Sequence, residues 1–215
     1  MKILIIGAAG MIGRKLTKRL LEAEAVDHLR PSTLMLADIA APSIDESTHQ
    51  SSIITPVSID LSDETAVKKL VANRPDVIFQ LAAIVSAEAE ANMPKGYRVN
   101  LDGMRYLLEA IAAQHSLDGY KPKFIFASSI AVYGAPFPEA IGDEFHQTPM
   151  TSYGTQKAMG ELLLADYNRR SFIEGIGLRL PTICVRPGKP NKAASGFFSN
   201  IIREPINGQS AQLPV

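Results

Sequence analysis

The chain opens on Met1-Lys2 and four apolar residues, Ile3-Leu4-Ile5-Ile6, that run straight into Gly7. An apolar run this short, closed by a glycine, reads as a strand covered on both faces. Residues 11 to about 24 then carry Ile12, Leu16, Leu20 and Leu21 at helical spacing, with Arg14, Lys15, Lys18 and Arg19 left for the solvent side. Further apolar runs follow at 33–37, ending on Asp38, at 53–59, ending on Asp60, and at 77–82, 123–127 and 177–180. Between them, helical patterns cover 62 or 63 to about 73, 96–114, and 151 or 152 to about 170, and 195–203 adds a short helix. Residues 40–52 and 132–149, rich in proline and polar residues, read as exposed connections, the second a long loop over the site. Strands alternating with helices predict an α/β fold, a parallel sheet wrapped by helices with ligands at the carboxyl ends of the strands.

Composition narrows the class without changing that picture. At 215 residues, with ordinary apolar and charged fractions, the chain can bury one substantial core. Lysine plus arginine equals aspartate plus glutamate at 22 each, so no global field draws it to nucleic acid or anionic lipid. Any anionic ligand must be held locally. The single cysteine, Cys184, excludes a disulfide framework and a cysteine-rich zinc site, and no metal is expected. The opening apolar run is too short for a signal peptide and no run reaches the roughly 18 residues of a membrane helix, so the expected location is cytoplasmic. Residues 1–180 read as one nucleotide-binding unit. The loop-rich 181–215 reads as the beginning of a small substrate-binding region, and the stop just after the start of another element points to a truncated chain.

The candidate chemistry lies at the strand ends. Gly7-Ala8-Ala9-Gly10-Met11-Ile12-Gly13 follows a strand and opens a helix, where a tight turn and close approach to a pyrophosphate leave no room for side chains and the helix terminus offers unpaired N–H groups. Asp38 can accept from the adenosine ribose hydroxyls and would repel a 2′-phosphate, which favours NAD, although Arg14 near the turn leaves NADP open and a plain loop aspartate is the alternative. Asp60 can meet the adenine amino group, with Leu61 packing on the ring, or can equally serve as a helix-capping residue beside Ser62. Tyr153 and Lys157 are four residues apart and share a helix face, so the ammonium is expected to draw the phenol toward phenolate. Tyr153 would then take the proton of a secondary alcohol, Ser129 would hold the reacting oxygen, and Lys157 would stabilise the phenolate and bond the nicotinamide ribose.

In this order, Gly7 through Gly13, Asp60-Leu61, Leu81-Ala82-Ala83, Asn100, Ser128-Ser129 and Tyr153 through Lys157, the chain resembles the extended short-chain dehydrogenase/reductase superfamily of sugar-nucleotide epimerases and dehydratases. The resemblance implies a Rossmann-type doubly wound sheet with the start of a small C-terminal substrate-binding region, NAD as cofactor, and Ser129 rather than Ser128 as the catalytic hydroxyl. It also implies that Leu81, Ala82 and Ala83 line the cofactor, that Asn100 supports the site, and that the chain pairs into a homodimer through helices near 96–114 and 152–170. Gln80 departs from the histidine common before this Leu-Ala-Ala. The segments 83–90, 133–138 and 179–191 are most similar to the branch that oxidises D-erythronate at C2, which implies a sugar-acid substrate.

Such a substrate needs a cation for its carboxylate, and Arg186, Lys189 and Arg203 follow the last clear strand. Ser86, Asn191 and Ser195 can bind hydroxyls or simply cap loops, and Pro181-Thr182-Ile183 would lie beside the nicotinamide. Cys184 is expected as buried packing rather than as a nucleophile. Two other functions use the same fold: an epimerase or dehydratase of nucleotide sugars that retains its NAD, and a nucleotide-sensing protein without turnover.

Overall fold

The computed structural model describes residues 1–22, 30–42, 51–142, 144–186 and 194–213. Six strands form one sheet: β1 Lys2–Ile6, β2 Thr33–Asp38, β3 Ile54–Ser58, β4 Val77–Gln80, β5 Lys123–Ser129 and β6 Glu174–Leu180. Their order is β3-β2-β1-β4-β5-β6 and every pairing is parallel. The chain therefore starts at the centre, builds outward to β3, returns, and builds outward again from β4. The strand order reverses between β1 and β4, and in a doubly wound sheet the crevice at that point receives the ligand.

β1 is apolar from Ile3 to Ile6 because its alternate side chains enter two different layers. Leu4 and Ile6 join Met35, Ile78, Leu108 and Phe124 on one side of the sheet. Ile3 and Ile5 join Leu20, Leu34, Leu36 and Val77 on the other. The helices that cover these layers are α1 Met11–Leu21, α2 Glu64–Val71, α3 Ser86–Ala91, α4 Met93–Gly96, α5 Gly103–Asp118, α6 Ser152–Arg169 and α7 Phe197–Ile206. Among the described residues, no helix is long and apolar enough to cross a membrane.

Some boundaries differ from the sequence expectation for local reasons, and at the starts of α2 and α6 the structure selects between the two caps the sequence left open. α1 ends at Leu21, because Glu22 is extended and its N–H closes on the Lys18 carbonyl. Asp63, not Ser62, caps α2 by accepting from the N–H groups of Thr65 and Ala66 at 2.9 and 3.1 Å. Thr151, not Ser152, caps α6 by accepting from Gly154 N–H at 3.0 Å. The single helix expected over 96–114 is α4, a π-helical stretch Tyr97–Asp102 and then α5. One π turn adds a residue without spoiling the apolar spacing, which hides it from a periodicity argument. α3 was not foreseen either: its alanines and glutamates favour helix strongly but carry no apolar stripe.

Candidate active site

A cavity of about 1180 Å³ runs along the carboxyl ends of the strands. Its floor is the turn from β1 into α1. Gly7 has φ +89°, and a Cβ there would lie 2.6 Å from the Ala82 nitrogen; a Cβ on Gly13 would lie 2.3 Å from the Gly7 carbonyl oxygen. Both positions exclude a side chain because the obstructing atoms are backbone and cannot swing away. The turn is pinned to β2 by hydrogen bonds from Gly7 and Ala8 N–H to the Ala37 carbonyl at 2.8 and 3.1 Å. Asp38 adds a second tie, accepting from Ala9 N–H at 2.9 Å and from Ile39 N–H at 2.8 Å. An ionised carboxylate has about four acceptor sites, so these two leave capacity for ribose hydroxyls. α1 follows its N-cap Gly10 with no side-chain cap and no acidic residue in its first turn, and Gly10 through Gly13 line the cavity, so the positive end of the helix dipole lies at its wall. A floor closed to side chains and rich in N–H donors fits the pyrophosphate of a dinucleotide. Arg14 is exposed and does not line the cavity.

Asp60 lines the cavity beside Leu61, and one of its oxygens is engaged by the N–H and the hydroxyl of Ser62 at 2.9 and 2.8 Å. The helix-capping alternative for Asp60 is thus replaced by a local turn, with Asp63 as the cap. Leu81, Ala82 and Ala83 continue β4 into the cavity wall, where Gln80, buried, accepts from Ala82 N–H at 3.2 Å. Asn100 lies behind that wall, not in it. It accepts from Ile84 N–H at 2.8 Å, donates back to the Ile84 carbonyl at 3.0 Å, and donates to Gln156 at 2.7 Å. It therefore braces the strand end against α6.

The reacting end is formed by β5, α6 and the segment after β6. Ser129, Tyr153 and Lys157 line it together. Ser129 accepts from Ala131 N–H at 3.1 Å, and its hydroxyl favours the ionised form of the Tyr153 phenol. Lys157, buried, donates to the Ala127 carbonyl at 2.7 Å, and its ammonium lies 4.7 Å from the centroid of the Phe126 ring and 5.7 Å from that of Tyr153. Burial lowers its pKa to about 8, with the Glu161 carboxylate opposing the fall. The expectation that the Tyr153 phenol is drawn below its ordinary value is corrected here. Burial pushes it up, against the opposing influence of the Ser129 hydroxyl and the charge of Arg186. Leaving water costs the phenolate more than these neighbours return.

Pro181, Thr182 and Ile183 line the cavity, as do Ser86, Arg186, Ser195 and Arg203. Lys189 and Asn191 lie outside the described residues. Arg203 is committed to protein partners: it donates to the Arg186 carbonyl and Glu204 at 2.5 Å and to Asn200 at 2.8 Å. Arg186 donates to Ser195 at 3.2 Å and to the Ile183 carbonyl at 3.3 Å, and it is the cation whose charge reaches Tyr153. Cys184 is exposed, which corrects the expectation of buried packing. Sequence reasoning missed Lys95, which lines the cavity and pairs with Glu88 at 2.7 Å, and Gln156, which no local motif announces. Among the described residues, no group of three or more His, Cys, Asp or Glu side chains could hold a metal ion.

The sequence model described as NAD dependent epimerase/dehydratase family matches residues 3–215. The chain is 44% identical over 220 residues to D-erythronate dehydrogenase of Cupriavidus necator and 42% identical over 215 residues to that of Haemophilus influenzae, in each case along its whole length. It spans 65% of the length of each of these curated relatives. A solved structure titled as a nucleoside-diphosphate-sugar epimerase from Agrobacterium tumefaciens is 58% identical, with a TM-score of 0.93 over all of this chain and 62% of that one. The names of these relatives differ in substrate, but with the family match running over residues 3–215, from β1 past the last described helix, the chain belongs to the NAD dependent epimerase/dehydratase family.

Proposed function

We propose that this chain is the cofactor-binding and catalytic part of an NAD-dependent dehydrogenase that oxidises the C2 hydroxyl of a sugar acid, D-erythronate above others, to the 2-oxo acid. The observation that carries the reading is that Arg186 lines the same cavity as Ser129, Tyr153 and Lys157. In a 2-hydroxy acid the carboxylate is bonded to the very carbon that loses hydride, so its cation must stand beside the general base. Arg186 lines the same cavity and acts electrostatically on the Tyr153 phenol. The 42–44% identity to two D-erythronate dehydrogenases supports the same substrate class.

NAD is the cofactor of the family. Gly7, Gly10, Met11, Ile12 and Gly13 would hold its pyrophosphate, Asp38 its adenosine ribose, Asp60 and Leu61 its adenine, and Leu81 through Ala83 with Pro181 through Ile183 its nicotinamide half. Bound oxidised NAD would supply a hydride acceptor and a positive ring beside the phenol. The chain's own groups handle the proton and the substrate. Arg186 binds the carboxylate and Ser129 donates to the reacting oxygen. Tyr153, as phenolate, takes the hydroxyl proton, and the Lys157 ammonium holds that phenolate against the penalty of burial. Residues 1–180 form the NAD-binding unit in this reading, and 181–215 begin the substrate region.

Incubation of the protein with NAD and D-erythronate, read at the NADH absorbance, tests the proposal. Steady accumulation of NADH is expected with the sugar acid and none with UDP-glucose or UDP-galactose. No NADH from the sugar acid, together with interconversion of UDP-glucose and UDP-galactose or loss of water from a nucleotide sugar without net NADH, would assign a nucleotide-sugar epimerase or dehydratase instead. Tyr153→Phe should abolish turnover while NADH still binds; unaltered function in that variant would favour a nucleotide sensor. A homodimer through 96–114 and 152–170, where Met159 and Leu162 stand exposed, and a cytoplasmic location belong to the same proposal. A monomer mass by light scattering, or recovery outside the cytoplasmic fraction, would remove them.

A further inference from the structure

Glu161 stands one turn beyond Lys157 on α6 and takes part in none of the steps above. Its carboxylate gathers side chains from three other segments. It accepts from the Ser128 hydroxyl at the end of β5 and from the Gln147 amide in the 133–149 connection. Arg179 of β6 grips it through Nε at 3.1 Å to each oxygen and through Nη2 at 2.8 Å, and donates from Nη1 to the Tyr133 hydroxyl. Across the sheet Ser128 is paired with Arg179 and Ser129 with Leu180. Every attachment therefore adjoins a working part. Ser128 precedes Ser129, Arg179 leads through Leu180 to Pro181, Tyr133 and Gln147 hold the two ends of the connection, and Glu161 shares a helix face with Lys157 and Tyr153. The ion pair is partly sheltered, with 31% of the Arg179 side chain and 13% of the Glu161 side chain exposed. Its forked geometry makes it a stronger tie than an open surface pair.

We propose that Glu161 is a positioning residue that clasps the strand bearing Ser129, the strand leading to Pro181 and the 133–149 connection onto the helix bearing Tyr153 and Lys157, and that it holds its carboxylate one turn from Lys157 as the counter-charge of that ammonium. Burial favours the neutral lysine, and Glu161 is the group that opposes it. Burial would also raise the Glu161 carboxyl, but the bonds from Arg179, Ser128 and Gln147 outweigh it and hold the group below its ordinary value. Glu161 is thus fully ionised wherever Lys157 titrates. The charged and titratable groups around this point include Tyr153 and Glu161 from α6, Arg179 from β6 behind Glu161, Tyr133 bonded to Arg179, and Arg186, which lines the same cavity as Tyr153. β5 presents the Phe126 ring and the Ala127 carbonyl.

The inference rests on the dehydrogenase reading for what Lys157 does, but its measurement does not need turnover. Lysine labelled with ¹³C at the ε position, with the Lys157 signal assigned by its loss in Lys157→Met, gives the titration midpoint directly by NMR. Glu161→Gln should move that midpoint below the wild-type value by roughly half a pH unit or more, because the opposing charge is gone and Arg179 is left uncompensated. Arg179→Met should move it up, because the Glu161 charge is no longer neutralised. Both variants break the same pair and both lose stability, so a purely structural Glu161 would leave the midpoint where it was or shift it the same way in both. Either result overturns the proposal. Should the single variants fail to fold, Gln147→Leu cuts one arm without changing charge. Amide exchange in 133–149 should then speed up by roughly tenfold or more, and unchanged exchange overturns the clasp. Failure of the dehydrogenase reading is distinguishable, since it shows as no NADH formed by the wild-type protein with intact midpoints.

Discussion

Burial works against both titratable groups at the reacting end of the cavity, raising the Tyr153 phenol and lowering the Lys157 ammonium. For Lys157 the linkage has a definite sign. Between about pH 8 and its ordinary value of 10.5, the unfolded chain holds this proton and the folded one releases it, so stability rises with pH across that window. Below the window the full penalty is present. Lys157→Met is therefore expected to gain roughly 1–3 kcal/mol at neutral pH, after subtracting its hydrogen bond to Ala127, and to lose turnover. Urea unfolding at neutral pH and again near pH 10 checks it; a variant less stable than wild type at neutral pH contradicts it. The same group sets the alkaline limb of the reaction, with kcat/KM falling above about pH 8 as the ammonium is lost. A flat profile to pH 10 would remove Lys157 from the mechanism. Arg186→Gln should raise KM for the sugar acid about tenfold or more while leaving NADH affinity unchanged, and an unaltered KM would mean that another cation binds the carboxylate. Of these residues, Ser129, Tyr153 and Lys157 are legible in the sequence because their spacing follows a strand and a helix. The direction of the Tyr153 shift is not, since it depends on how much water the fold removes.

At the scale of elements, the turn from β1 into α1 was readable because glycines at this spacing have one economical explanation, a bend that side chains would fill. Gly13→Ala tests that bend. Its Cβ would meet the Gly7 carbonyl at 2.3 Å and the Ala8 Cα at 2.6 Å, so the turn must move. A loss of about 1–3 kcal/mol in stability together with weakened NADH binding is expected, by melting and by fluorescence titration. Wild-type affinity in this variant would detach the cradle from the cofactor. The elements that escaped are those in which no periodicity marks the structure. The π-helical stretch Tyr97–Asp102 and the short α3 look, respectively, like ordinary helix and like no helix at all. Both matter to the site, since the first carries Asn100 and the second brings Ser86 to the cavity.

Across the whole molecule, the doubly wound order brings the β1–α1 turn, the end of β4, the end of β5 and the segment after β6 to one cavity. A ligand that binds only this assembled state must stabilise all of it. NADH at about 100 times its dissociation constant should add about 2.7 kcal/mol, and a calorimetric melt should rise by several degrees. No rise with NADH would leave the cavity without its cofactor. The sequence alone determined the α/β class, the strand-end position of the chemistry, the glycine turn and the Ser129, Tyr153, Lys157 trio, because each depends on spacing along a strand or helix. The tertiary structure decided which cation faces Tyr153, that Asn100 braces the wall from behind, and that Glu161 joins four segments. Those relations hold between residues 14 to 56 positions apart, and only the packing of strands and helices brings such residues within reach of each other.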